Sequence, residues 1–185
     1  HQVAVKWKAP NSDGGSEITS YTATSSPGGY SCTTSLVSCV VTGLSNGTAY
    51  RFSVTATNIA GHSESSNPSV QVVPATVPDA PSTVTVIARN SQVTVSWSAP
   101  ASNGGSAINK YTATSTPGGF TCQSTELSCI VSGLANETAY TFRVVATNGV
   151  GDSESSPESL SVTPDFSSTT PTSVVVAPGD QQLTI

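Results

Sequence analysis

This chain is one unit written more than once. Trp7 recurs as Trp97, Tyr21 as Tyr111, Tyr50 as Tyr140, and Cys32 and Cys39 as Cys122 and Cys129. The offset is about 90 residues each time, and about half of the aligned positions are identical. A fixed period of this size means that each copy is one structural unit, so whatever folds must fold twice. The same offset reaches past the second copy, because Pro171, Val174, Val176, Gln182 and Thr184 answer to Pro81, Val84, Val86, Gln92 and Thr94. The expected organisation is a first unit over residues 1–74 that lacks its opening strand, a complete unit over 81–170, and the first strands of a third over 171–185. A chain whose units begin and stop part-way reads as a window on a longer array.

Period-two alternation fills each unit. Val3, Val5 and Trp7 alternate with Ala4 and Lys6, and Tyr50, Phe52, Val54 and Ala56 alternate with Arg51, Ser53, Thr55 and Thr57. The same holds one period on, at Val93 to Trp97 and Tyr140 to Ala146. Such runs predict half-buried antiparallel strands. Gly and Pro punctuate them at 10–15, 27–29, 43–47 and 58–61, and no segment carries a helical stripe. Short strands with turns every 8 to 12 residues describe an all-β sandwich.

Four motifs, in order and twice over, then resemble one family, the fibronectin type III domain. They are Trp on the second strand (Trp7, Trp97); a Gly-Gly-Ser turn leading to Ile18 and Tyr21 or Ile108 and Tyr111; Gly-Leu-x-x-x-Thr-x-Tyr (Gly43 to Tyr50, Gly133 to Tyr140); and Ala-Thr-Asn-x-x-Gly-x-Ser (Ala56 to Ser63, Ala146 to Ser153). The resemblance implies tandem seven-stranded, immunoglobulin-like sandwiches with strands A, B and E in one sheet and C, C′, F and G in the other. Trp7 and Trp97 should face Tyr21 and Tyr111 across the core. Tyr50 and Tyr140 should form a tyrosine corner, the hydroxyl bonding the backbone at the E–F crossover. The Pro-Gly-Gly segment followed by a cysteine pair is similar to the version found in long secreted bacterial repeat proteins.

Cys39 and Cys129 share inward parity with Val41 and Val131, whereas Cys32 and Cys122 follow the Pro-Gly-Gly turn. Each pair straddles the crossing between sheets, and closing so short a loop is worth roughly 2 to 3 kcal/mol in the chain-entropy model. Four cysteines allow three connectivities, of which strict repetition favours Cys32–Cys39 and Cys122–Cys129; buried thiols are the alternative. Zinc does not fit, since the intervening six residues are too many for a knuckle and no His is near.

Charged residues make up only 9% of the chain, its net charge is −5, and about a third of it is Ser or Thr. That charge opposes binding to nucleic acid, and no apolar run approaches the roughly 20 residues of a membrane helix. Together with the cysteines, the composition points to an extracellular or cell-surface setting. Catalytic and cofactor sites are not expected. His62 is answered by Asp152, and the pair Asp13 and Glu17, which invites a calcium reading, by Asn103 and Ala107. A glycine turn with positive φ accounts better for Gly14 and Gly15. Gly149 to Ser153 lacks the Arg of an Arg-Gly-Asp motif. Asn46 and Asn136 each open an acceptor sequence for N-glycosylation, Asn-Gly-Thr and Asn-Glu-Thr; the plainer reading is a good turn former, and a eukaryotic source would reverse that preference.

The joints at Pro74 to Pro81 and Pro164 to Pro171 are bounded by proline, which stiffens them toward extended conformations. The leading expectation is a non-catalytic structural or adhesive segment, a semi-rigid rod whose partners are neighbouring repeats placed head to tail. The alternative is an accessory spacer or carbohydrate-contacting module of a secreted polysaccharide-degrading enzyme. For the latter, Tyr30 and Phe120 are the recurrent aromatic candidates, although they are expected to cover the cysteine bridge.

Overall fold

The computed structural model describes residues 1–166; the third unit expected at 171–185 lies outside them. The described residues form two β-sandwiches in series and no helix. In the first repeat the strands are β1 (Gln2–Lys6), β2 (Ser20–Ser26), β3 (Ser31–Thr34), β4 (Ser38–Thr42), β5 (Arg51–Asn58) and β6 (Gly61–His62). The second contains β7 (Ser82–Arg89), β8 (Gln92–Ser98), β9 (Ile108–Thr116), β10 (Thr121–Ser124), β11 (Ser128–Ser132) and β12 (Thr141–Asn148). β7 corresponds to strand A and β8 to strand B. One sheet of the second repeat runs β11-β8-β7 and the other β10-β9-β12. The first repeat has β1-β4 facing β3-β2-β5-β6.

Alternation becomes burial. Val93, Val95 and Trp97 point inward from β8 while Thr94 and Ser96 point away, and they meet Phe142, Val144 and Ala146 from β12. Trp97 lies over Tyr111 with ring centroids 5.5 Å apart, and Trp7 over Tyr21 at 5.6 Å, so the predicted cross-core pair forms in both repeats. Each tilted pair adds about 0.5 to 1.5 kcal/mol beyond its burial. Neither indole N–H finds a hydrogen-bond partner, although both are buried.

The seventh strand is where the structure departs from a regular ladder. Residues 63–72 run beside β5, and 153–162 beside β12, with only one bridge pairing each, Tyr50 with Val72 and Tyr140 with Val162. The rest of the edge is held by serines spaced three apart. Ser153, Ser156 and Ser159 each donate a backbone N–H to a carbonyl of β12, at Ala146, Val144 and Phe142. Each then accepts, at its hydroxyl oxygen, the N–H of that same β12 residue at 2.9 to 3.0 Å. The hydroxyl proton goes to the next carbonyl of the edge segment. Ser63, Ser66 and Ser69 repeat the arrangement on Ala56, Val54 and Phe52. Three edge residues thus answer two strand residues. The extra residue bulges outward, and a side-chain oxygen does the work of the missing backbone acceptor.

Ser156 is fully buried, whereas Ser66 is exposed. Replacing Ser156 by Ala strands the Val144 N–H away from water, so a urea titration should show a loss of about 1 to 3 kcal/mol. Ser66→Ala, whose site water can reach, should cost clearly less. Equal losses for the two variants would contradict this account of the edge.

Candidate functional site: the joint between the repeats

The residues singled out for chemistry do not converge. Among the described residues no three His, Cys, Asp or Glu side chains gather where they could hold a metal ion. The Asp13 carboxylate accepts the Gly15 N–H at 2.8 Å, and Gly14 and Gly15 have φ of 73° and 87°. The same turn recurs with Asn103, Gly104 and Gly105, so the loop geometry rests on the Asx side chain and the glycines rather than on acid charge. The ring of His62 pairs with the Thr57 hydroxyl, as Asp152 pairs with Thr147, which makes both loop-closing residues.

Cys32 is joined to Cys39 and Cys122 to Cys129, with Cα atoms 6.2 and 6.0 Å apart. Each bridge ties an edge strand of one sheet, β3 or β10, to an edge strand of the other, β4 or β11. The Tyr50 hydroxyl accepts the Ser45 N–H at 3.0 Å, and the Tyr140 hydroxyl accepts that of Ala135 at 3.1 Å. Tyr30 and Phe120, 38% and 37% exposed, set their rings edge-on against Tyr50 and Tyr140. They also lie over Gly28 and Gly118, where an added Cβ would be 2.5 and 2.4 Å from the ring. Their role is thus to roof the tyrosine corner.

Asn46 and Asn136 are half-buried and tie the E–F turn to the start of strand B. The Asn136 carbonyl oxygen accepts the Ser91 N–H at 2.8 Å, and its amide donates to Asn90. Asn46 accepts in the same way from the nitrogen of His1 at 2.7 Å. The partners lie 45 residues away, so the turn reading of these asparagines could not reach them.

What the fold does assemble is a built joint. The linker is bonded to the loops of the second repeat. The Thr76 N–H donates to the Gly104 carbonyl and the Asp79 N–H to the Ser102 carbonyl, both at 2.9 Å. The amide of Asn148, 3% exposed, donates at 2.8 Å both to Thr76 in the linker and to Asn103 in the loop. Its carbonyl oxygen accepts the Val150 and Gly151 N–H groups. One side chain therefore binds linker and two loops together. Beside it the E–F turn of the first repeat touches the second. A Cβ on Gly105 would sit 2.3 Å from the Gly47 nitrogen, and one on Gly104 would sit 2.2 Å from the Thr76 oxygen. Only bare backbone fits at this contact. A polar crevice of about 850 Å³ flanks it, bordered by Asn46, Thr48, Asp79 and Asn103.

The matching ends differ. Asn58, the counterpart of Asn148, donates to the Asp13 carbonyl at 2.7 Å and to that of Ser16 at 3.3 Å. Glu137 replaces Gly47 in the second E–F turn and keeps a positive φ of 64°, so a side chain projects where the first turn offers backbone.

With this geometry in view, the chain belongs to the fibronectin type III family: the model of the fibronectin type III domain matches residues 1–72 and 79–162. Among curated proteins it is 34% identical over 134 residues to a Kelch domain-containing protein, SSO1033, of Saccharolobus solfataricus, covering 70% of this chain and 18% of that protein. It is 29% identical over 140 residues to Chitinase A1 of Niallia circulans, covering 71% of this chain and 20% of that one. The chain thus spans about a fifth of the curated relatives it matches. Among solved structures, domains A168-A170 from titin align with a TM-score of 0.53 at 28% identity, over 78% of this chain and 54% of theirs.

Two outcomes follow. Tyr140→Phe should cost about 1 kcal/mol by leaving the Ala135 N–H without its acceptor, and an unchanged denaturation midpoint would remove the corner from the account. Gly15→Ala and Gly105→Ala place the same strain on a positive φ, but Gly15 has nothing within 4 Å. Small-angle scattering should therefore change for Gly105→Ala only, as the joint is forced open; identical profiles would show that the joint has no closed geometry.

Proposed function

We propose that the chain is a non-catalytic, extracellular or cell-surface structural segment whose repeats act as a semi-rigid spacer. The joint carries this reading. A linker hydrogen-bonded at Thr76 and Asp79, latched by Asn148 and backed by the Gly47 to Gly105 contact, suits a protein that must hold a fixed distance and direction between what lies on either side. The two cross-sheet disulfides support an oxidising setting, since such bonds persist outside the cytosol. A hydroxyl-rich surface with few charges favours hydration over charged partners.

A second reading is favoured by one observation, the likeness to Chitinase A1. In it the repeats are accessory modules of a polysaccharide-degrading enzyme, and Tyr30 and Phe120 are the recurrent half-exposed rings that a sugar could stack upon. Both rings are already committed to the tyrosine corner, which weighs against an open platform.

Retention on insoluble chitin and cellulose separates the two. The spacer reading expects the chain to stay in solution; retention that Phe120→Ala abolishes would replace it with the second reading. In the same preparation, intact mass without reductant should lie about 4 Da below the reduced formula, one hydrogen lost per thiol. Four alkylatable thiols in protein from its native source would defeat the extracellular assignment.

A further inference from the structure

Asn-Gly is the dipeptide most open to spontaneous deamidation, because a following glycine puts no side chain in the way of the attacking backbone nitrogen. The chain holds three: Asn46-Gly47, Asn103-Gly104 and Asn148-Gly149. Their counterparts one period away are Asn136-Glu137, Asp13-Gly14 and Asn58-Ile59, so none of the three is repeated. All three meet at the joint. The Asn148 amide donates to the Asn103 carbonyl at 2.8 Å, and a Cβ on Gly105 would sit 2.7 Å from that of Asn46.

Their surroundings rank them. At Asn46 the nucleophile is committed, since the Gly47 N–H donates to the Pro74 carbonyl at 2.9 Å. At Asn148 the leaving nitrogen is committed, because it donates to both Thr76 and Asn103 from a side chain 3% exposed. Asn103 is exposed, and the Gly104 N–H is held by the Ser102 hydroxyl at 3.0 Å. The Asn103 side-chain oxygen accepts the Gly105 N–H at 2.9 Å. That bond folds the side chain back over the Gly104 nitrogen and polarises the carbon to be attacked.

We propose that Asn103 is a site of spontaneous deamidation whose isoaspartate product unlocks the joint. The inference rests on the semi-rigid spacer reading and supplies its regulation: the spacer is stiff when made and loosens with age. The Gly104 nitrogen bonds to the Asn103 Cγ and gives up its proton, the Cγ–Nδ2 bond breaks, and ammonia departs to leave a cyclic imide. Water then opens the ring. Cleavage at Cγ gives aspartate on an unaltered main chain, the residue that already serves as Asp13 in the matching turn. Cleavage at the main-chain carbonyl gives isoaspartate. The path to Gly104 then runs through Cβ and Cγ and is one carbon longer, while the carbonyl that accepted the Asn148 amide becomes a free carboxylate off the main chain. The joint has no room for the longer path. A Cβ on Gly104 would already overlap the Thr76 oxygen and lie 2.5 Å from that of Val77, and the Gly104 carbonyl holds the Thr76 N–H.

Ageing the full chain in mildly alkaline buffer, then mapping its peptides with enzymatic methylation of isoaspartate, tests the site. Conversion at Asn103 should outrun that at Asn46 and Asn148 by about tenfold or more, since those two react only through local opening. Small-angle scattering tests the consequence. The isolated form with isoaspartate at position 103 should differ in profile from the fresh chain, whereas Asn103→Asp, with the same added charge on an ordinary main chain, should not. Equal or faster conversion at Asn46 or Asn148 would overturn the proposal, as would an isoaspartate form that scatters like the fresh chain. A changed profile for Asn103→Asp would assign the effect to charge and defeat the main-chain argument. Failure of the spacer reading is a separate result: Gly105→Ala and Gly15→Ala would then scatter alike, and the peptide map would still decide whether Asn103 is the site.

Discussion

The amide of Asn148 is the contact on which the arrangement of this chain depends. A β-sandwich of this size is a common object, and two in a row need have no fixed relation to one another. Here the buried amide donates to a linker carbonyl and a loop carbonyl at once, and its oxygen holds the neighbouring F–G loop. The loop carbonyl, that of Asn103, also takes the Ser106 N–H at 3.5 Å, so the bond to Thr76 is the one that ties the linker. Removing the side chain would therefore take this donor from the Thr76 carbonyl and leave the linker attached to the second repeat by the Thr76 and Asp79 backbone bonds. Gly104 and Gly105 belong to the same design. They let the linker and the preceding E–F turn approach to distances that no side chain permits. In the corresponding turn of the second repeat Glu137 stands in place of Gly47, so a side chain replaces the bare backbone.

Within each repeat the problem is different: a small core must be closed on an edge without inviting further strands. The serine-spaced edge segment achieves this chemically. Its hydroxyls satisfy the N–H groups of β5 and β12, and its three-residue spacing presents no regular ladder to an outside strand. The disulfides act at the opposite edge of the same sheet, tying β3 to β4 and β10 to β11 where the chain crosses between sheets. Tyr30 and Phe120 then roof the corner formed by Tyr50 and Tyr140. Each device is local, and each repeats with the sequence.

Much of this was legible in the residues. Strict alternation placed Val93, Val95 and Trp97 on one face, and the family motifs set Trp97 against Tyr111, because parity along a strand decides which side chains can meet. What stayed hidden depended on tertiary proximity. Ser153, Ser156 and Ser159 follow neither a strand nor a helix period, so a three-residue spacing in a Ser-rich chain carried no signal until β12 lay beside it. Asn58 and Asn148 stood in a motif whose conservation of shape was visible but whose donor role required a linker more than 70 residues away. Asn46 and Asn136 read as turn formers or glycan acceptors because their partners across the E–F turn are distant in sequence.

The central claim is that the joint makes the two repeats one body. Residual dipolar couplings measured for both repeats of the aligned chain test it most directly. The account predicts that couplings from residues 1–72 and from 82–162 fit a single alignment tensor, with the two sandwiches oriented as Asn148 and the Gly47 to Gly105 contact hold them. Two tensors of clearly different magnitude would mean that the repeats reorient independently, and the rod would have no rigid joint to rest on.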